Sequence, residues 1–164
     1  MSSPAPVVRP CGADDAPSLR SIRLEALADT PEAYGSTYAE ARRWSIDRWE
    51  TMSRDWNFYL AEYQGRVVGM ASGGLNDQRP GTRWLYGMYV APDMRGTGVA
   101  GQLVGVVEQW ARGEGVSSLY LHVTEKLARA RGFYERIGFR STGDVIAMGR
   151  DPSLRLVTMV KNLE

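Results

Sequence analysis

The chain has 164 residues, 43% of them hydrophobic, and a formal net charge of +1 at pH 7. A length and composition of this kind predict one domain, residues 1–164, around one hydrophobic core. The near-neutral charge argues against a protein that binds nucleic acid through a broad basic surface, and the single cysteine excludes an internal disulfide or a Cys-rich metal site.

Hydropathy along the chain bears on where the protein works. No apolar run approaches the roughly 20 residues that a membrane-spanning helix needs. Residues 1–8 lack the basic segment followed by an apolar segment that marks a secretory signal. We therefore expect a cytoplasmic protein without a membrane partner.

The first half of the chain predicts two helical segments and a β-hairpin. Asp14 or Asp15 can cap the first helix, whose apolar residues recur at helical spacing, and Pro17 suits its first turn. The predicted elements are a strand at 7–9, a helix that ends at Asp29, a helix that begins at Ser45, and hairpin strands at 58–62 and 66–75.

The second half predicts a strand–helix–strand unit followed by a helix and two closing strands. The central helix has an apolar stripe at Val99, Leu103, Val106 and Trp110. The other predicted elements are strands at 83–90 and 118–123, a helix at 127–137, and strands at 145–148 and 155–160. An antiparallel hairpin before a βαβ unit indicates a mixed α/β fold.

The turn before the central helix, Arg95-Gly96-Thr97-Gly98, is the most informative stretch. A helix N-terminus presents free N–H groups to an anion, and glycines let a ligand approach the backbone closely. The stretch 96–101 also fits the dinucleotide pattern G-x-G-x-x-G, with Glu125 near the end of the next strand. Too few βα units follow for a dinucleotide fold, so a phosphate site and a plain connecting turn remain open.

Two segments together are similar to the GNAT superfamily of N-acetyltransferases. Residues 95–100, RGTGVA, resemble its R/Q-x-x-G-x-G/A motif, and residues 130–139, ARGFYERIGF, resemble its A-x-x-x-Y-x-x-x-G-F segment. Val90-Ala91-Pro92 also matches the V-x-P that usually precedes the first motif. The resemblance covers roughly residues 7–161. It implies a mostly antiparallel mixed sheet with helices on both faces and two central strands that splay apart to admit acetyl-CoA.

The resemblance also implies a reaction, the direct transfer of an acetyl group from acetyl-CoA to a primary amine, with no metal. Tyr134 matches the tyrosine that protonates the departing thiolate in many members. The implied cofactor-binding residues are Met88, Tyr89 and Val90 beside the pantetheine and acetyl group, Arg95, Gly96, Thr97, Gly98, Val99 and Ala100 around the pyrophosphate, and Tyr134.

One position departs from the family pattern. The family often has Asn seven residues before the tyrosine, where this chain has Leu127. An apolar side chain makes none of the hydrogen bonds of an amide. We expect that the polar contact to the cofactor is lost here, or that Thr124 or Glu125 replaces it.

The general base is open among three candidates. Glu125, at the end of a central strand, is the catalytic candidate that we name with Tyr134. His122 alternates along its strand with apolar residues and is more typical of a structural histidine. A water chain would need neither side chain.

The acceptor pocket is expected between the early helices and the splayed strands. Its predicted lining residues are Tyr34, Ser36, Tyr38, Gly74 and Tyr86. A small-molecule amine is the leading acceptor. A protein N-terminus or lysine is the alternative within enzymes, and a non-catalytic CoA-binding module is the alternative outside them. The resemblance further allows a homodimer through the C-terminal strands.

Overall fold

The structure, a computed structural model, describes residues 4–164. Three helices follow the first strand, and two more lie among the later strands, with single 3-10 turns at Ala13–Asp15, Pro31–Ala33 and Pro92–Met94. The strands are β1 Val7–Pro10, β2 Phe58–Tyr63, β3 Arg66–Gly74, β4 Trp84–Val90, β5 Ser118–Thr124, β6 Arg140–Met148 and β7 Asp151–Asn162. The helices are α1 Ala16–Asp29, α2 Tyr38–Ala41, α3 Ile46–Asp55, α4 Val99–Gly113 and α5 Ala128–Arg136.

The seven strands form one sheet in the order β1-β2-β3-β4-β5-β7-β6. Every neighbouring pair is antiparallel except β4 and β5, which are parallel. These two strands pair only near their beginnings, Trp84 with Tyr120 and Leu85 with Leu121. Beyond those residues the strands diverge and leave an opening in the middle of the sheet. The mostly antiparallel mixed sheet and its splayed central strands are thus confirmed.

Helices cover both faces of the sheet. On one face α4 buries Leu103, Val104 and Val107 in a large core cluster that also takes in α5. On the other face α1 and α3 bury a second cluster, which contains Leu19 and Trp49. The opening between β4 and β5 is therefore walled by different helices on its two sides.

The apolar stripe of α4 differs from the predicted one. Val99, Leu103, Val107 and Ala111 are fully buried, so the row that faces the sheet follows steps of four residues. Val106 and Trp110 are only partly buried and flank this row. A spacing of three or four residues identifies an apolar face, but the centre of that face depends on how the helix docks.

The predicted start of α3 is confirmed, whereas Asp15 stands at the N-cap of α1 without a side-chain capping hydrogen bond. Ser45 caps α3, because its Oγ accepts a hydrogen bond of 3.1 Å from the backbone N–H of Arg48. Trp44 and Trp49 pack across this N-terminus with ring centroids 5.1 Å apart, the arrangement of a hydrophobic staple. The closing strands are longer than predicted, because β7 pairs with β5 over the whole stretch from Ser118 to Thr124.

Within residues 4–164, no helix combines the length and the apolar character needed to cross a bilayer.

Candidate active site

A cavity of about 1520 Å³ fills the opening where β4 and β5 diverge. It extends from the turn before α4, past the C-terminal halves of both strands, to the helices α1 and α3. This cavity contains most of the predicted site, with Met88, Tyr89, Val90, Arg95, Gly96, Gly98, Ala100 and Tyr134 in its lining.

The turn before α4 presents a row of free backbone donors. The six N–H groups from Gly96 to Gly101 donate to no acceptor among residues 4–164, and the first helical bond runs from Gln102 N–H to the Gly98 carbonyl at 3.1 Å. Gly96 and Gly98 have φ of +80° and +93°, conformations that favour glycine. Consecutive free N–H groups at the positive end of a 15-residue helix form a site suited to a diphosphate.

The side chains of Arg95, Thr97 and Val99 in and after this turn are not free to bind a ligand in the cavity. The guanidinium of Arg95 donates to the Val90 carbonyl at 3.1 Å and to Asp29 at 2.7 Å, which ties the turn to the end of α1. Thr97 and Val99 do not line the cavity, and the side chain of Val99 is fully buried in the core. Only the backbone of these two residues remains available to a phosphate.

β4 supplies a backbone edge along the cavity. Its register with β3 shifts between Met70 and Ser72, so that two β4 residues, Gly87 and Met88, lie opposite one residue of β3. After this bulge, the Ala91 N–H donates to β3 at 2.8 Å. Because backbone groups alternate in direction along a strand, the N–H of Val90 points the other way, toward the gap.

The hydroxyl of Tyr134 on α5 has no hydrogen-bond acceptor in the described chain. The ring is buried and packs against Phe133 and Phe139, with centroids 5.4 and 5.7 Å away. Its hydroxyl hydrogen-bonds to no residue among 4–164, although it lines the cavity. Burial raises the pKa of Tyr134 well above its ordinary value. The hydroxyl is therefore protonated at neutral pH and available to donate.

The end of β5 carries a second hydroxyl without a hydrogen-bond partner among residues 4–164. Oγ1 of Thr124 is buried, lines the cavity and has no hydrogen-bond partner in the described chain. Leu127, which stands where the family often has Asn, lines the same cavity. A buried hydroxyl without a partner is unfavourable unless a ligand completes it. Of Thr124 and Glu125, the two residues expected to replace the family's polar contact, Thr124 is the one that lines the cavity.

Glu125, the predicted catalytic carboxylate, does not line the cavity. Its side chain is 47% exposed and lies 3.7 Å from the guanidinium of Arg155 on β7. Successive side chains point to opposite faces at the end of β5, so the side chain of Thr124 faces inward and that of Glu125 faces solvent.

His122 lines the cavity and packs against Trp84, with ring centroids 4.5 Å apart. Its Nδ1 lies 3.3 Å from Oγ1 of Thr158. Burial, reinforced by the positive charge of Arg79, lowers the pKa of this imidazole. The ring is therefore neutral at pH 7 and able to accept a proton, while its packing also serves the structure.

Four of the five predicted acceptor-pocket residues line the cavity, namely Tyr34, Ser36, Gly74 and Tyr86. Tyr38 lies outside it with 43% of its surface exposed, because it begins the short helix α2 and points to solvent. Trp44 and Trp56 also line the cavity, whereas Trp49 lies on the buried side of α3 in the core.

Comparison with known families agrees with this geometry. Residues 19–139 match the model of the acetyltransferase (GNAT) family, which is most of the chain. The chain belongs to the GNAT family.

Two curated relatives of this GNAT protein are similar over part of their length. An acetyltransferase of Pectobacterium atrosepticum is 32% identical over 93 residues, 57% of this chain and 63% of that protein. Human N-acetyltransferase 8B is 36% identical over 90 residues, 52% of this chain and 39% of that protein. The matched part thus spans less than two thirds of either relative.

The GNAT fold extends over nearly the whole chain. A solved structure of a candidate acetyltransferase from Salmonella typhimurium, with its cofactor acetyl-CoA, superposes with a TM-score of 0.75. The match covers 98% of this chain and 95% of that one at 21% sequence identity. At that identity the likeness establishes the fold.

Several residues of the cavity were not predicted from the sequence, and Arg23 is a charged one among them. Arg23 lines the cavity from α1, where it lies one turn from both Leu19 and Leu27 on the buried face of the helix. The signal was available, because a charged residue at the position i+4 of an apolar stripe is unusual. Nothing in the GNAT motifs pointed to it.

Proposed function

We propose that this protein transfers the acetyl group of acetyl-CoA to the primary amine of a small molecule. The observation that carries the proposal is the continuous cavity that joins the free N–H groups of residues 96–101 to the unoccupied hydroxyl of Tyr134. A diphosphate at one end and a thioester at the other match the chemistry of acetyl-CoA. Oγ1 of Thr124, which has no hydrogen-bond partner in the described chain, also fits a bound polar ligand.

The cofactor-binding roles follow from which groups are free. The backbone of residues 96–101 binds the pyrophosphate, and the edge of Met88, Tyr89 and Val90 runs beside the pantetheine. Arg95 positions the turn through Asp29 rather than binding the ligand with its own side chain. Thr124 takes over the hydrogen bond of the family's Asn. Acetyl-CoA supplies the activated carbonyl of its thioester.

The reacting groups of the chain have separate tasks. The N–H of Val90 stabilises the negative charge that develops on the carbonyl oxygen. Tyr134 donates its proton to the sulfur of the leaving thiolate. The amine must lose a proton before it attacks, and neutral His122 or a water molecule accepts that proton. Glu125 has no part in this scheme, because its side chain lies outside the cavity.

The acceptor side favours a small molecule. Trp44 and Trp56 line it together with the half-exposed ring of Tyr86, and such rings suit a compact ligand. A protein N-terminus or lysine would instead bring a chain that needs a long open groove. The expected acceptor is therefore an amine small enough to lie against these rings.

The experiment that tests the function is release of CoA thiol from acetyl-CoA with a panel of amines. The panel contains small amines and peptides with a free N-terminus, and mass spectrometry identifies the acetylated product. We expect release with small amines above that with peptides. Tight binding of acetyl-CoA without thiol release for any amine would favour a binding module and refute the enzyme.

A further inference from the structure

Arg23 is a cation on the buried side of α1 that has no counter-ion. No carboxylate forms an ion pair with it among residues 4–164, and its Nε is buried without a hydrogen-bond partner. Nη2 donates to Oγ of Ser36 at 3.2 Å, and the guanidinium lies 5.4 Å from the centroid of the Tyr34 ring. A neutral hydroxyl and an aromatic face compensate only part of a buried charge.

The charges around Arg23 make its burial without an ion pair more unfavourable. Burial lowers the pKa of Arg23, and the positive charge of Arg48, another cation in the cavity lining, lowers it further. Asp55 also lines the cavity, but it is exposed and hydrogen-bonded to the adjacent Arg54 at 3.0 Å. Removing a guanidinium from water beside a second positive charge is unfavourable. An anionic ligand at this point would reverse that effect.

The position of Arg23 relates it directly to the reacting end of the cavity. Its Nη1 approaches the bulge of β4 so closely that a Cβ on Gly87 would lie 3.3 Å from it. Met88, the next residue, begins the edge along which the acetyl group is expected. Tyr34, whose ring faces Arg23, bonds to the Met88 carbonyl at 2.9 Å. An anion held by Arg23 would therefore lie beside the bulge of β4 that precedes this edge.

We infer that the acceptor amine carries a carboxylate close to its nitrogen, and that Arg23 binds this carboxylate through its terminal nitrogens Nη1 and Nη2. The inference rests on the proposed acetyl transfer and specifies its substrate class. A carboxylate suits these two nitrogens, because Nη2 keeps a second hydrogen beside the one donated to Ser36 and because guanidinium and carboxylate pair through parallel hydrogen bonds. The apolar lining formed by Trp44, Trp56, Phe58 and Leu75 suits an apolar side chain on the same molecule. These features together describe an α-amino acid with an apolar or aromatic side chain.

The decisive measurement compares matched substrates with the wild-type protein. L-Phenylalanine is paired with phenethylamine, which lacks only the carboxylate, and with L-phenylalaninamide, which replaces it by a neutral amide. L-Leucine is paired with isoamylamine in the same way, and O-phosphoethanolamine supplies a phosphate in place of the carboxylate. We expect kcat/KM for each acid to exceed that for its neutral partner by about tenfold or more, after comparison at equal concentrations of unprotonated amine.

A variant then tests whether Arg23 is the source of this preference. In Arg23→Met the ratio of kcat/KM for L-phenylalanine to that for phenethylamine is expected to fall by about tenfold or more, mainly through KM. Arg23→Lys, which keeps the charge but not the planar donors, should retain part of the ratio. Arg20→Met is the matched control, because Arg20 lies on the exposed face of α1 outside the cavity lining and should leave the ratio unchanged.

Each outcome has one meaning. Equal rates for acids and neutral partners in the wild type, or an unchanged ratio in Arg23→Met, would overturn the inference while acetyl transfer itself stands. Preference for O-phosphoethanolamine over both amino acids would overturn the assignment to a carboxylate. Absence of transfer to every amine would remove the proposed function and, with it, this inference. If Arg23→Met does not fold, the wild-type comparison still tests the carboxylate, and the ratio in Arg23→Lys still tests Arg23.

Discussion

The hydroxyl of Tyr34 donates a hydrogen bond of 2.9 Å to the backbone carbonyl of Met88. This bond connects the segment after α1 to the part of β4 that borders the sheet opening. Burial raises the pKa of Tyr34 to about 12, so the hydroxyl remains a donor at any pH near neutral. The bond therefore holds the bulge of β4 in place through a residue that also lines the acceptor side.

Replacing this tyrosine tests the support of the strand edge. Tyr34→Phe should lower the free energy of unfolding by about 1 kcal/mol, because the partly buried Met88 carbonyl loses its hydrogen-bond partner. It should also reduce kcat, since the edge beside the acetyl group is less well positioned. Urea unfolding and steady-state kinetics measure the two effects. Tyr38→Phe, outside the cavity, is the control, and equal behaviour of the two variants would contradict the role of Tyr34.

Tyr134→Phe tests the proposed general acid. Loss of the hydroxyl should reduce kcat by about 10²-fold or more, the usual range for a positioned acid. Acetyl-CoA affinity, measured by isothermal titration, should change little, because the aromatic packing against Phe133 and Phe139 is kept. Undiminished turnover in this variant would remove Tyr134 from the mechanism.

Gly98→Val tests the phosphate site at the turn. Gly98 has φ of +93°, and a β-branched residue there is strained by about 1–3 kcal/mol, so the row of N–H groups should be distorted. Binding of CoA should be lost or strongly weakened in a titration. Gly105→Ala lies in the same helix, outside the cavity, with no atom within 4 Å of the added Cβ. That control should bind CoA normally and be slightly more stable, since alanine favours a helix.

Thr124→Val separates a ligand contact from a structural role. The substitution keeps the shape of the side chain and removes a buried hydroxyl that no protein group satisfies. We expect stability to stay equal or rise by about 1 kcal/mol, while acetyl-CoA affinity falls several-fold. Differential scanning fluorimetry and titration give the two numbers. A loss of stability with unchanged affinity would show that the hydroxyl serves the fold.

His122 should make stability depend on pH in a definite direction. Burial, together with the charge of Arg79, lowers the pKa of the folded protein's imidazole below its ordinary 6.5. Between the folded pKa and pH 6.5 the unfolded chain therefore binds more protons than the folded protein. The stability that depends on the neutral imidazole is complete above pH 6.5 and is lost as the pH falls through the folded pKa.

The measurement is the free energy of unfolding at pH 7 and pH 5. The wild type should lose more stability over this interval than His122→Asn, whose side chain does not titrate. If both proteins lose the same amount, the imidazole does not contribute to the acid sensitivity. The pH profile of kcat/KM for the same pair would show separately whether His122 accepts the proton of the amine.

Patterns close together in the chain predicted most of the architecture. Helix caps such as Ser45, the hairpin around Gly65 and the glycines before α4 act through neighbouring backbone groups, so their effect can be read from adjacent residues. The two GNAT segments then placed the turn and Tyr134 in one fold. Their individual roles as cofactor or catalytic residues stay predictions, which the experiments above can decide.

Other features needed the folded chain. Glu125 and Thr124 are adjacent, yet one faces solvent and the other the cavity, because the end of β5 and its pairing with β7 decide the direction of each side chain. Tyr38 seemed equivalent to Tyr34 in the sequence, but α2 turns it outward. Arg23 interrupts an apolar stripe, and only its packing shows that no carboxylate from a distant segment reaches it.

The sequence by itself determined the order of the strands and of the longer helices, the glycine turn before α4 and the resemblance to a family, since each depends on local spacing. Only the tertiary structure decided where β4 and β5 part, which buried hydroxyls remain without partners and that Arg23 forms no ion pair among residues 4–164. Those properties depend on contacts between residues far apart in the chain. A buried group is satisfied or unsatisfied according to everything packed around it, and that environment exists only once the sheet and its helices have assembled.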